Sequence, residues 1–122
     1  MNRHRIKDLR EYIDLLSSLG QIQAINVPVD PNLEIGAVIR HSYDLQAPAP
    51  LFNQVPGMMG RILGAPVGLS SNPDIPLARL AASVGVPFNS SHLEIIEALS
   101  DGFKADPIPP RFVETAPPAR RM

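Results

Sequence analysis

"VDPNLEIGAVIRH", residues 29–41, is the stretch on which the fold turns. Asp30 has the short acceptor side chain favoured at a helix N-cap. Pro31 suits the first helical position, where its missing N–H would have no partner in any case. Leu33, Ile35, Val38, Ile39 and Tyr43 then supply an apolar surface, and Glu34 lies where an acid meets the positive end of the helix. Arg40 and His41 are types able to do chemistry, but here they read as surface or interface residues at the far side of that helix.

Upstream, "QIQAINVPV" (21–29) reads as a strand. Ile22 and Ala24 are in one phase and Ile25, Val27 and Val29 in the other, so the pattern implies either a bulge near Ala24 or burial on both faces. Pro28 marks it as edge-like or ending. Before it, Asp8 and Glu11 have capping-box spacing and open a helix carrying Leu9, Tyr12, Ile13, Leu16 and Leu19, which Gly20 stops.

Downstream, "QAPAP" breaks the chain, and "LFNQV" and "RILGAPV" read as two short strands around "PGMMG". A third helix is expected from Asn72–Pro73 or Asp74, carrying Leu77, Leu80, Ala81 and Val84 and ending at Gly85. Ser91 and Glu94 form a second capping box for a fourth helix with Leu93, Ile96, Leu99 and Phe103 along it. The expected fold class is α/β (or α+β): a small layered domain of about four helices around a short mixed sheet of about three strands. Connections after Pro50 are short, which favours some antiparallel pairing. The expected division is a domain over 1–104 and a Pro-rich extended tail or linker over 105–122, since Pro107, Pro109, Pro110, Pro117 and Pro118 crowd the end.

A chain of 122 residues is about one domain, ordinary in its 44% hydrophobic and 19% charged residues. Net charge −1 and scattered Lys and Arg give no electrostatic case for nucleic acid or an anionic membrane. The absence of cysteine removes disulfides, thiolate nucleophiles and cysteine-based metal sites. The charged N-terminus lacks a signal-peptide core, and no apolar run reaches the ~20 residues that span a bilayer, so a soluble cytoplasmic protein is expected.

Each candidate for chemistry has a simpler account. His41 and Asp44, three apart on one helix, have the geometry of a two-ligand metal half-site, but the third ligand would be His92, whose spacing predicts no meeting. His4 reads as a solvated terminal side chain, and His92 beside Glu94 as a polar first-turn residue. None of the serines sits in a GxSxG elbow, and Ser90 and Ser91 have sufficient reason to exist as helix caps. Asp8, Glu11 and Asp14 are explained by the positive end of the first helix. "GMMGRILGAPVG" lacks the Gly-Lys-Ser/Thr of a P-loop and the GxGxxG spacing, so its glycines read as turns and close packing. Arg61 beside them is the one cation positioned to meet an anion, and Met58 and Met59 read as exposed-turn or interface residues. No catalytic, cofactor-binding or metal-binding residue is assigned.

Taken in order, "DLREYIDLLSSLGQIQAINVPVDPNLEIGAVIRH", "APAPLFNQVPG", "GRILGAPVGL", "LARLAASVGVP" and "PIPPRFVET" resemble the N-terminal domain of the UbiD family of prenylated-FMN-dependent decarboxylases, over about residues 6–115. Within the family, the order of segments looks like that of the ferulic or phenylacrylic acid decarboxylase branch. The resemblance implies reversible non-oxidative decarboxylation of aromatic or α,β-unsaturated carboxylic acids in a whole enzyme. It also implies that prenylated FMN, a divalent metal, potassium and the Glu–Arg–Glu catalytic network belong to a following domain, with no matching motif here and no cofactor bound by this chain. Ala116 stands where such proteins usually carry glycine, and "PPARRM" follows instead of a run into the next domain. Three accounts fit that ending: a cut chain, a split gene whose other half encodes the catalytic chain, or a degenerate copy.

The expected function is therefore the N-terminal domain or small subunit of a UbiD-type decarboxylase, structural and inactive alone. Its expected partner is a UbiD-type catalytic chain or domain, with a homo-oligomer as a further expectation and neither nucleic acid nor membrane as a partner. The alternative is a stand-alone, non-enzymatic interaction module derived from this domain. An autonomous enzyme built on His41, Asp44 or His92 ranks last.

Overall fold

Helix α1 (Leu9–Ser18) begins where its capping residues place it. The computed structural model describes residues 5–115. Asp8 accepts a hydrogen bond from the Glu11 amide at 2.9 Å, and the Glu11 carboxylate accepts one from the Lys7 amide at 2.7 Å, so two otherwise unpaired N–H groups at the helix start are satisfied. The helix buries Tyr12, Ile13 and Leu16, and Gly20 turns the chain away at φ +68°.

Strand β1 (Ile22–Ile25) follows, then helix α2 (Glu34–Asp44), then strand β2 (Ala49–Phe52). β1 and β2 pair in parallel, Ile22 opposite Ala49 through Ile25 opposite Phe52, so α2 is the crossover of a βαβ unit. The register is regular. Ile22 packs on the α1 side and Ile25 on the α2 side, so the mixed phase of this strand reflects burial on both faces rather than a bulge. Strand β3 (Ile62–Leu63) pairs antiparallel with β2, giving the order β1-β2-β3.

The central strand contains a proline. Pro50 is fully buried, and its carbonyl accepts from the Gly64 amide at 2.8 Å, so its nitrogen faces the β3 side too. The missing donor falls just past the two ladder pairs, Leu51–Leu63 and Phe52–Ile62. "QAPAP" thus enters the sheet two residues before the expected "LFNQV", and Pro50 limits β3 to two residues.

Three clusters form the core. Val29, Ile35, Phe52 and Val55 lie between α2 and one sheet face. Tyr12, Leu16 and Ala82 join α1, the other face and helix α3 (Ala78–Val84). Leu77, Ala81, Val86, Ile95 and Ala98 join α3 to helix α4 (His92–Phe103), which packs on no other helix or strand among the described residues. Ser91 caps α4 by accepting from the Glu94 amide at 3.2 Å, as its spacing implies, and Gly85 ends α3 in the left-handed conformation.

Two helix starts differ from expectation. Asp30 does not cap α2: its carboxylate accepts from the Asn32 amide at 2.8 Å and closes a turn, while its own amide donates to Glu34 at 3.0 Å. That side-chain turn competes with the helix and delays it to Glu34, leaving Leu33 as the N-cap with φ +69° and 82% exposure rather than in the core. Asn72 does the same for α3 by accepting from the Asp74 amide at 3.0 Å, and Pro76 disfavours helix at Ile75, so α3 starts at Ala78. After α4, residues 106–115 form no helix or strand and are exposed throughout. Among the described residues no helix is long and apolar enough to cross a membrane.

Candidate functional site

The titratable residues singled out in the sequence lie apart. His41 and Asp44 are both exposed on α2, and Asp44 pairs with Arg40 across 3.3 Å instead of with His41. His92 lies exposed in the first turn of α4. No three His, Asp or Glu side chains among the described residues come close enough to share a metal ion, and His4 lies outside those residues. Ser91 is the α4 cap, while Ser90 is buried and its hydroxyl donates to the Pro87 carbonyl at 2.5 Å. Arg61 has no ion-pair partner among the described residues. With Arg10 it flanks a groove of about 490 Å³ floored by Ile13, Leu51 and Leu63, and Met59 stands exposed at its side.

The strongest polar constellation was not singled out in the sequence. Arg79, on α3, is 1% exposed and donates to the carbonyls of Ala65 at 2.7 Å, Ala47 at 2.8 Å and Leu69. The Tyr12 hydroxyl lies alongside, within 2.6 Å of the Pro66 carbonyl and 3.1 Å of the Arg79 carbonyl. A Cβ on Gly68 would stand 3.0 Å from the Tyr43 ring and 3.2 Å from Arg79 Nη1, so the loop's close approach to the guanidinium leaves little room for a side chain at residue 68. Burial lowers the Arg79 pKa, opposed by Tyr12 and Tyr43, and burial raises that of Tyr12. Arginine remains protonated in proteins, so this is a permanent buried cation held by backbone dipoles. Its Nε has no partner. The signal in the sequence is a lone charge within the Ala-rich "LARLAAS".

These residues do not fit the prenylated FMN that the resemblance implies. Arg79 spends its terminal nitrogens on three carbonyls, and the described carboxylates gather no metal site that would anchor a flavin phosphate. The cluster ties α3 to the 64–69 loop and to the end of the α2–β2 connection, which is an architectural role.

What the surface presents is apolar. Leu93 (71% exposed), Ile96 (59%), Leu99 and Phe103 (91%) line one side of α4, while Ile95 and Ala98 on the adjoining side are buried against α3. Ile108 and Phe112 extend this exposed apolar series into the following segment. Patches of this kind mark interaction surfaces more often than isolated exposed apolar residues do.

Comparison with known proteins follows the same line. The family described as "3-octaprenyl-4-hydroxybenzoate carboxy-lyase N-terminal domain" matches residues 13–99. Pyrrole-2-carboxylic acid decarboxylase of Pseudomonas aeruginosa is 40% identical in an alignment 121 residues long that covers 96% of this chain and 24% of that protein. Ferulic acid decarboxylase 1 of Saccharomyces cerevisiae is 34% identical, over 84% of this chain and 21% of its own length. The vanillic acid decarboxylase of Sedimentibacter hydroxybenzoicus shares the fold in its open form (TM-score 0.70, 26% identity, 90% of this chain and 22% of that one) and its closed form (TM-score 0.68, 25% identity, 91% and 22%). The chain thus spans about a quarter of the length of the curated relatives it matches.

Proposed function

The chain belongs to the UbiD N-terminal-domain family, and on that premise we propose that it serves as the N-terminal domain or small subunit of a UbiD-type decarboxylase. The observation that carries this reading is the match over residues 13–99 together with the quarter-length coverage of the relatives. Its role is assembly. Residues 1–104 form the domain and 105–122 an arm toward the catalytic part. The substrates of the whole enzyme are aromatic or α,β-unsaturated carboxylic acids. Prenylated FMN, with its divalent metal and potassium, supplies the carbanion-stabilising chemistry from that catalytic part, in the cytoplasm.

The exposed apolar series on α4, which a free-standing domain has no use for, supports an assembly role over an independent enzyme. Co-expression with the UbiD-type catalytic chain of the source cell, followed by gel filtration and a decarboxylation assay, tests it. Co-elution is expected, with the isolated 122-residue chain inactive. Separate elution, with full activity in the catalytic chain alone, would overturn the reading.

A further inference from the structure

We infer that the outer side of α4, from Leu93 to Phe103, together with Ile108 and Phe112, is the docking surface for the catalytic chain of a UbiD-type decarboxylase, through a partner surface that is apolar with a basic rim. This inference rests on the function proposed above and names its interface. The helix carries two apolar sides. Ile95 and Ala98 face α3, and successive positions turn by 100°, which puts Leu93, Ile96, Leu99 and Phe103 within one sector of about 120° that adjoins the buried side and faces away from α3 at Leu93 and Ile96.

Two occupants have this chemistry: a second copy of this chain and a different chain. Charge separates them. Glu94, Glu97 and Asp101 form one flank of the exposed sector, and the same 100° turn places them together. A two-fold antiparallel pairing of α4 with its own copy would set acidic flank against acidic flank, where like charges oppose binding. Lys104, at the end of the helix, is already engaged with Asp101 at 3.1 Å. A partner with lysine or arginine around an apolar patch satisfies both features, and a copy of this surface does not.

Connectivity points the same way. The matching family is an N-terminal domain and the relatives are about four times longer, so in them the rest of the polypeptide follows this domain. Its path starts from the C-terminal end of α4 and the exposed segment bearing Ile108 and Phe112. The surface beside that exit is apolar and exposed. Pro107, Pro109 and Pro110 restrict this segment, so ordering it on a partner costs less conformational entropy.

The test uses the full chain co-expressed with the UbiD-type catalytic chain of the source cell. The double variant Ile96→Glu/Phe103→Glu should melt with the wild type, because both side chains are solvent-exposed, and should bind at least roughly 30-fold more weakly in gel filtration or calorimetry. Leu45→Glu, exposed on another part of the surface, should bind as the wild type does. Amide exchange along α4 should slow when the wild type binds, a readout that needs no variant. If the double variant still co-elutes and α4 exchange is unchanged in the complex, the inference fails while the proposed function stands. If the wild-type chain is instead a homodimer that the double variant splits, the occupant is a second copy and the inference is overturned. If the wild type never binds the catalytic chain, both fall together.

Discussion

Arg79 donates from Nη1 to the Ala65 carbonyl across 2.7 Å, and Ala65 is itself held at φ +47°. That conformation costs a non-glycine residue about 1–2 kcal/mol, so the guanidinium fixes a loop that would otherwise relax. Replacing Arg79 by Met keeps the stem, strands the carbonyls of Ala47 and Leu69, each costing about 1–3 kcal/mol when buried without a donor, and leaves Ala65 only the Gly68 amide at 3.4 Å. Arg79→Met should therefore lower stability by at least roughly 2 kcal/mol in urea unfolding, and Arg79→Lys, with one point charge for three acceptors, should recover only part. An unchanged midpoint for Arg79→Met would refute this account of the cluster.

The same loop touches the crossover helix. A Cβ on Gly64 would stand 2.5 Å from Ile39 Cγ1, 2.9 Å from its Cδ1 and 3.1 Å from Pro50. Gly64→Ala should cost about 1–3 kcal/mol by overpacking. Ile39→Ala removes both offending carbons, so the double variant should be more stable than the sum of the two single changes implies; strict additivity would show that Ile39 is not the obstacle.

Leu33 is an apolar residue whose loss should help. It is 82% exposed at φ +69°, so it contributes strain and little burial. Leu33→Gly should raise stability by about 1 kcal/mol, read as a higher melting temperature, whereas a core leucine would lose about 2–5 kcal/mol on truncation to alanine.

Tyr12 sets an alkaline limit. Burial raises its hydroxyl above the ordinary value of 10.0, so the folded state holds this proton more tightly than the unfolded one. The associated stability is fully present below pH 10 and is lost as pH rises through the folded-state value. Thermal melts should be insensitive to Tyr12 ionisation at neutral pH and fall above pH 10. Tyr12→Phe, less stable at neutrality by about 1 kcal/mol for its lost hydrogen bonding, should flatten that fall. Parallel alkaline curves for the two proteins would exclude Tyr12 as the group responsible.

Local chemistry was legible wherever a side chain acts on its own neighbours. Asp8 with Glu11 and Ser91 with Glu94 mark two helix starts, and Gly20 and Gly85 mark two ends. The doubled phase of β1 indicates cover on both faces, and α2 supplies one of them. Asp30 and Asn72 misled because each has two local uses, a helix cap or a turn, and both turned. On α4 the large apolar residues Leu93, Ile96, Leu99 and Phe103 do not mark the buried side: α3 offers Ala81 where the two helices meet, and small Ala98 with Ile95 packs there. Arg79 was illegible for a different reason. Its three acceptors come from two distant segments, the 64–69 loop and the end of the α2–β2 connection, and no periodicity encodes a cation whose partners are carbonyls.

Because α4, among the described residues, packs on no helix or strand but α3 and belongs to a small cluster separate from those around the sheet, the domain has an order of opening. The bonds of α4 can be lost without disturbing the pairing of β1 with β2. Its amides should exchange with solvent by a local excursion, while Leu51 and Phe52 wait for global unfolding. Bound in an assembly, the same helix would lose that early exit, and the least protected layer of the isolated chain would become as slow to open as its sheet.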